Sequence, residues 1–187
     1  GFGAPIPITI DSEKGMPTKF GIYFASNKNY KIKINNLLAL NSSIGYSSTR
    51  YYLNENYSLD MPIQSPSAKK ISYLIRNLKA NAGFQINFKR KRGNQFGKYI
   101  NIGMYGDWIF HHKLKYEYPN NDLKIIKTKL NYLEKLNYGL STKLGIKKNA
   151  IFINYRLSDL FNSETDLLEL PRLIVGFEFD IFSKNYR

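Results

Sequence analysis

Leu173-Ile-Val-Gly-Phe-Glu-Phe-Asp-Ile-Phe182 is the stretch whose reading decides the fold. Side chains of an extended strand point alternately to opposite faces. Leu173, Val175, Phe177, Phe179 and Ile181 therefore share one face, and Ile174, Gly176, Glu178, Asp180 and Phe182 share the other. The first face is wholly apolar; the second mixes a glycine with two acids. That is a strand with one dry side and one polar, sterically crowded side.

The same period-two pattern recurs backwards along the chain. Ile151, Ile153, Tyr155 and Leu157 alternate with Phe152, Asn154, Arg156 and Ser158, and Tyr138 to Ile146 alternates with Asn137 to Gly145. Ile100, Ile102, Met104, Gly106, Trp108 and Phe110 oppose Asn101, Gly103, Tyr105, Asp107, Ile109 and His111. Leu78 to Phe88 opposes Asn77 to Asn87, and Leu38 to Tyr46 opposes Asn41 to Ser47. Phe20, Ile22 and Phe24 run in phase with Tyr30, Ile32 and Ile34, so one long strand is expected through Ser26–Asn29. Ala4 to Ile10 also alternates, though Pro5 and Pro7 weaken it as a strand. Eight strands result. Tight connections at Asn35-Asn36, Lys91 to Gln95 and Lys147 to Asn149 alternate with longer ones at Asp11 to Met16, Tyr57 to Lys69, Tyr118 to Leu133 and Phe161 to Leu170.

The expectation is a single all-β domain over residues 1–187: an eight-stranded antiparallel up-and-down transmembrane β-barrel with short periplasmic turns and longer extracellular loops. An even strand count returns both termini to the short-turn side. The apolar face is assigned to lipid because the other face interleaves Gly83, Gly103, Gly139, Gly145 and Gly176 with long polar residues, which suits a narrow interior. A soluble barrel would turn its apolar face inward. No apolar run approaches the roughly 20 residues of a membrane helix, but a barrel strand needs only about 9–11. No signal peptide is visible at Gly1, so an exported protein would be present here in processed form.

The inward charges are expected to pair, because a buried lone charge costs several kcal/mol, of order 3–5 when one partner is removed. Lys79, Lys143 and Arg156 would balance Asp107, Glu178 and Asp180 in an ion-pair network that plugs the barrel. Asp107 and His111 share the lumen-facing set four residues apart, about 13 Å along a strand, too far for a direct acid–base dyad. His111 and His112, the only histidines, point to opposite faces and cannot chelate one metal together. With no cysteine there is no thiolate site. Neither a catalytic set, a cofactor site nor a metal site is expected.

The formal charge of +14 raises nucleic acid as a partner, and Lys89-Arg-Lys-Arg92 is its strongest run. The expected reading is instead a basic turn held at anionic head groups, with long side chains reaching the interface. Trp108, Phe110, Tyr99, Tyr138 and Tyr155 are expected to form an outward aromatic girdle. Leu59, Met61, Ile63, Ile125, Ile126 and Leu130 lie in long loops, either as partner contacts or, for Leu123 to Leu133, as prolonged strands.

Tyr99-Ile-Asn-Ile-Gly-Met-Tyr-Gly-Asp-Trp-Ile-Phe110, Leu136-Asn-Tyr-Gly-Leu-Ser-Thr-Lys-Leu-Gly145, Asn154-Tyr-Arg-Leu-Ser-Asp-Leu-Phe161 and Glu169-Leu-Pro-Arg-Leu-Ile-Val-Gly-Phe-Glu-Phe179 carry a resemblance. From Leu74 onward the chain resembles the PorT-like outer-membrane β-barrel proteins of Bacteroidota. The resemblance implies a small barrel in the bacterial outer membrane and carries no catalytic residues. Val175, Phe177, Phe179 and Ile181 also look like the signal read by the barrel-assembly machinery. The expected role is a non-enzymatic scaffold or accessory subunit of a larger secretion, transport or assembly complex. Alternatives are an autonomous barrel that binds a surface ligand or stabilises the envelope, and a lipid-modifying enzyme. Expected partners are outer-membrane lipids and lipopolysaccharide, the assembly machinery and other outer-membrane proteins, and no nucleic acid.

Overall fold

The computed structural model describes residues 1–6, 18–53, 70–88, 98–118, 124–128, 132–146, 149–162, 167 and 169–179. Among them there are nine strands and no helix: β1 (Phe2–Ile6), β2 (Thr18–Lys33), β3 (Leu38–Leu53), β4 (Lys70–Asn87), β5 (Lys98–Glu117), β6 (Lys124–Thr128), β7 (Leu136–Ile146), β8 (Asn149–Arg156) and β9 (Leu173–Phe179). Every pairing is antiparallel, and the ring β1-β2-β3-β4-β5-β7-β8-β9 closes where β9 meets β1. The chain is thus a closed eight-stranded barrel. β6 stands outside the ring, paired among the described residues only to the upper end of β5 from Lys113 to Glu117; of the Leu123 to Leu133 stretch, Lys124–Thr128 is thus a strand laid beside β5.

Paired residues traced from Tyr23 through Gly3, Gly176, Phe152, Lys143, Asn101, Gln85 and Ala39 return to β2 at Lys33, ten residues beyond the start. At about 3.3 Å per residue and about 4.8 Å between strands, that stagger tilts the strands by about 41° around a backbone radius of about 8 Å. Such a bore holds side chains and little else. Where strands crowd inward, only glycine fits: a Cβ on Gly139 would collide with the Tyr155 carbonyl oxygen.

The Asn35 turn closes β2–β3, its Oδ1 accepting from the amides of Leu37 and Leu38 at 2.8 and 2.7 Å, the local bond that favours asparagine in turns. Pro5 lies in β1, past the last residue paired to β2, so its missing N–H breaks no ladder bond on that side. The prolonged β2 through Ser26–Asn29 forms as expected. The turn at Lys89 to Gln95, the loop at Tyr57 to Lys69, and Ile10, Leu130, Asp180, Ile181 and Phe182 lie outside the described residues.

The wall has two regimes. Through the lower barrel the apolar residues face out: Leu38, Leu40 and Ile44 on β3, Leu78, Phe84 and Ile86 on β4, Leu136, Leu140, Leu144 and Ile146 on β7. Toward the long-loop rim the apolar phase inverts. Tyr51 and Leu53 on β3, and Ile71, Tyr73 and Ile75 on β4, point inward and are buried. There they meet Leu114 and Tyr116 of β5, Leu133, and Leu160, Phe161 and Leu170 from the β8–β9 connection in one core. Burial of each such side chain is worth about 1.5–3 kcal/mol.

A bulge sits at this transition. Asn77 pairs with Ile109 but Arg76 pairs with His111, so Phe110 is an extra residue on β5. Above it the inward set changes from Asp107 and Ile109 to the even-numbered Leu114 and Tyr116. This corrects the expectation for His111: it shares a register row with outward Arg76, whereas His112 pairs with inward Ile75. A second correction concerns Tyr99. It lies on the lumen face, its ring occupying the space above Gly145 that a Cβ would need, while Trp108, Phe110 and Tyr138 do face outward.

Candidate functional site

The bore is built in three tiers, each supplied by the inward face of several strands. At the centre Lys79 of β4, 3% exposed, sits opposite Asp107 of β5 in the register, with Nζ 4.0 Å from Oδ2. Its ammonium lies 3.9 Å from the Tyr105 ring centroid and 5.6 Å from that of Tyr23. The negative faces of two rings therefore supplement one long ion pair. Asn77 donates to Asp107 Oδ2 at 3.4 Å.

Below it, Lys143 of β7 binds Glu178 of β9 at 2.7 Å, reaching across β8. Asn29 donates to the same carboxylate at 3.4 Å. Asn81 donates to Ser43 at 2.8 Å and Asn41 to Gln85 at 2.6 Å, so the lower lumen is filled by short polar bridges.

The upper tier holds a residue that sequence reasoning missed. Arg156 of β8 pairs with Glu169, at 2.6 Å, and donates to the Leu170 carbonyl at 2.8 Å. The other Glu169 oxygen accepts the amides of Leu160 and Phe161 at 2.8 and 3.3 Å. One carboxylate thus ties the barrel wall to both ends of the β8–β9 connection and seats Leu160, Phe161 and Leu170 in the bore. Leu133 bridges to Phe161, and Tyr132 and Tyr73 flank that ring at 6.0 and 6.2 Å. Leu167 and Leu170 flanking Glu169 were the available signal, since apolar residues beside an acid in a loop argue for docking.

Five of the six expected inward charges lie among the described residues. Lys79 faces Asp107, Lys143 faces Glu178, and Arg156 takes Glu169 instead of a β9 acid; Asp180 lies outside the described residues. Of the expected assembly-signal residues, Phe177 and Phe179 are exposed on the outer wall and Val175 is half-buried beside them.

The space left over is small. A cavity of about 40 Å³ lies between the central and upper tiers, among Asn77, Asp107, Asn137 and Arg156. Asn77 Oδ1, Asp107 Oδ1 and Arg156 Nε find no partner there among the described residues, and the volume suits a bridging water. In the cap, burial pushes the Tyr116 and Tyr132 phenols up to about 12. Burial, with His111 adjacent, lowers the pKa of His112. No cluster of metal-ligating side chains occurs among the described residues. Compared with protein-family models, curated proteins and solved structures, the chain matches none.

Proposed function

We propose that the chain is a bacterial outer-membrane β-barrel protein, of the PorT-like kind that residues 74–187 resemble, with a plugged lumen and a non-enzymatic role as scaffold or accessory subunit of a larger outer-membrane complex. The observation that carries the reading is the pairing of a filled bore with an apolar outer wall. From Leu136 to Ile146 the outward face of β7 covers about 25 Å along the barrel axis at this tilt, the height of an outer-membrane apolar band. Some thirty large apolar side chains are exposed, far beyond what a water-soluble surface tolerates.

A filled bore argues against conduction, and the separation of outward His111 from inward Asp107 argues against acid–base chemistry between them. What remains available for work is the wall and the long-loop rim. Lipids and lipopolysaccharide would contact the wall. The assembly machinery would read Val175, Phe177, Phe179 and Ile181 during insertion. Mild-detergent extraction tests the subunit role: stoichiometric co-migrating proteins are expected, and a lone 21.7 kDa species would favour an autonomous barrel. A steady large conductance in planar bilayers would refute the plugged lumen.

A further inference from the structure

The upper edge of the apolar wall carries cations that no described carboxylate balances. Arg50 on β3, Arg76 on β4 and Lys113 on β5 all face outward. Arg50 and Lys113 both pair with Leu74, and Arg76 pairs with His111. Opposed residues have Cβ atoms about 5 Å apart and diagonal neighbours about 7–8 Å apart, so three cations and an imidazole share one patch across three strands. Arg50 and Arg76 are exposed, and Lys113 is half-buried. None of the three cations forms an ion pair with the described acids; the next one up, Lys115, is already bound to Glu117 at 2.5 Å.

The level of the patch is defined independently. Along β3 and β4 the inward face turns from polar to apolar between Thr49 and Tyr51 and between Asn77 and Ile75. The cations sit at and just above that inversion. Immediately below are Leu78 and Trp108, paired across β4–β5, and the Tyr46 and Phe110 rings, 6.0 Å apart.

We propose that this patch binds the phosphate of an anionic lipid in the leaflet at the long-loop rim, with the acyl chains lying over Tyr46, Leu78 and Trp108. The inference rests on the membrane reading above. Arginine forks match phosphate oxygens, and only a lipid presents a phosphate and a hydrocarbon chain at the spacing that separates patch from wall. A nucleic acid or an acidic peptide would satisfy the cations and leave the apolar wall directly beneath without a partner.

The single tryptophan, Trp108, reports on this place. The full chain is reconstituted into two sets of vesicles of identical phosphatidylcholine and phosphatidic acid content, with brominated chains on one lipid or on the other. Brominated phosphatidic acid is expected to quench Trp108 several-fold more effectively per lipid. Arg50→Gln, Arg76→Gln and Lys113→Gln combined should bring that preference close to one, each cation contributing up to about fivefold. Lys98→Gln at the opposite rim should leave it unchanged, and heat-modifiable gel migration checks that every variant is folded. Equal quenching by the two lipids in the unmodified protein, or a preference that survives the triple substitution, would overturn the proposal while the membrane reading stands. Quenching by neither lipid would overturn both.

Discussion

Glu169→Ala should open the cap without unfolding the barrel. In the native protein one Glu169 oxygen binds buried Arg156 at 2.6 Å, and the other accepts two amides of the inserted connection. Breaking a buried pair by removing one partner costs about 3–5 kcal/mol, and an orphaned buried amide about 1–3 kcal/mol. Glu169 retains 19% side-chain exposure, so water reaches part of the site, and Arg156 keeps the Leu170 carbonyl. A net loss of about 4 kcal/mol in cap stability is the expectation. Hydrogen exchange reads this directly: protection of the Leu160 and Phe161 amides should fall about a thousandfold, while mid-strand amides of β4 and β7 hold theirs. The Arg156→Met, Glu169→Leu double variant should lose less than the two single variants together, since an apolar pair leaves no stranded charge. A fall in protection of under about tenfold on Glu169→Ala would refute the clamp, because exposed pairs are worth only about 0–1 kcal/mol.

Leu140→Lys places a charge on the outer wall, four residues from Leu136 and six from Ile146; it should cost about 2–4 kcal/mol in vesicle-reconstituted protein by denaturant titration, and no loss would contradict a lipid-facing wall. Leu170→Ala, at a side chain 1% exposed in the cap core, should cost about 2–5 kcal/mol, read as the same local exchange at Leu160. Alkali should loosen the cap too. Tyr116 and Tyr132 are held neutral in the fold up to about 12, against about 10 in an unfolded chain. Their contribution is therefore complete below pH ~10 and lost as pH climbs toward ~12. Tyr116→Phe and Tyr132→Phe should each remove one phenol from the late-titrating part of the tyrosinate absorbance curve.

Strand faces were legible because period two is a local property: the expected outward residues of β7, from Tyr138 to Ile146, lie outward without exception. The inward placement of Lys79, Lys143 and Arg156 followed from the same count. What escaped depends on information that no strand carries alone. The Phe110 bulge shifts His111 to the outside because β5 spends one residue more than β4 at that point, which only the pairing reveals. The partner of Arg156 lies in a loop thirteen residues on, and loops have no periodicity from which to infer that Glu169 turns inward. Tyr99 was an error of a different kind. Its neighbours Ile100 and Ile102 already place it on the inner face, where Gly145 leaves room for its ring.

The inversion on β4 carries more weight than any of these details. Ile71, Tyr73 and Ile75 are apolar and inward, Leu78, Phe84 and Ile86 apolar and outward, and no irregularity on β4 itself lets the chain slip between them. A barrel surrounded by water throughout would keep its apolar residues inside along the whole strand, because inside is the only dry place. A barrel surrounded by lipid throughout would keep them outside. A strand that changes face partway, with Arg76 at the changeover, is economical only if its surroundings change there as well. On the proposed membrane reading, the dry medium lies around the wall below that level and the lumen can be polar, held by Lys79 with Asp107 and Lys143 with Glu178. On the same reading the surroundings above it are aqueous, so the strands need a core of their own, which Phe161 and Leu170 complete from the loop. The proposed membrane placement would make the cap and the apolar wall one consequence of a boundary crossing the same strands.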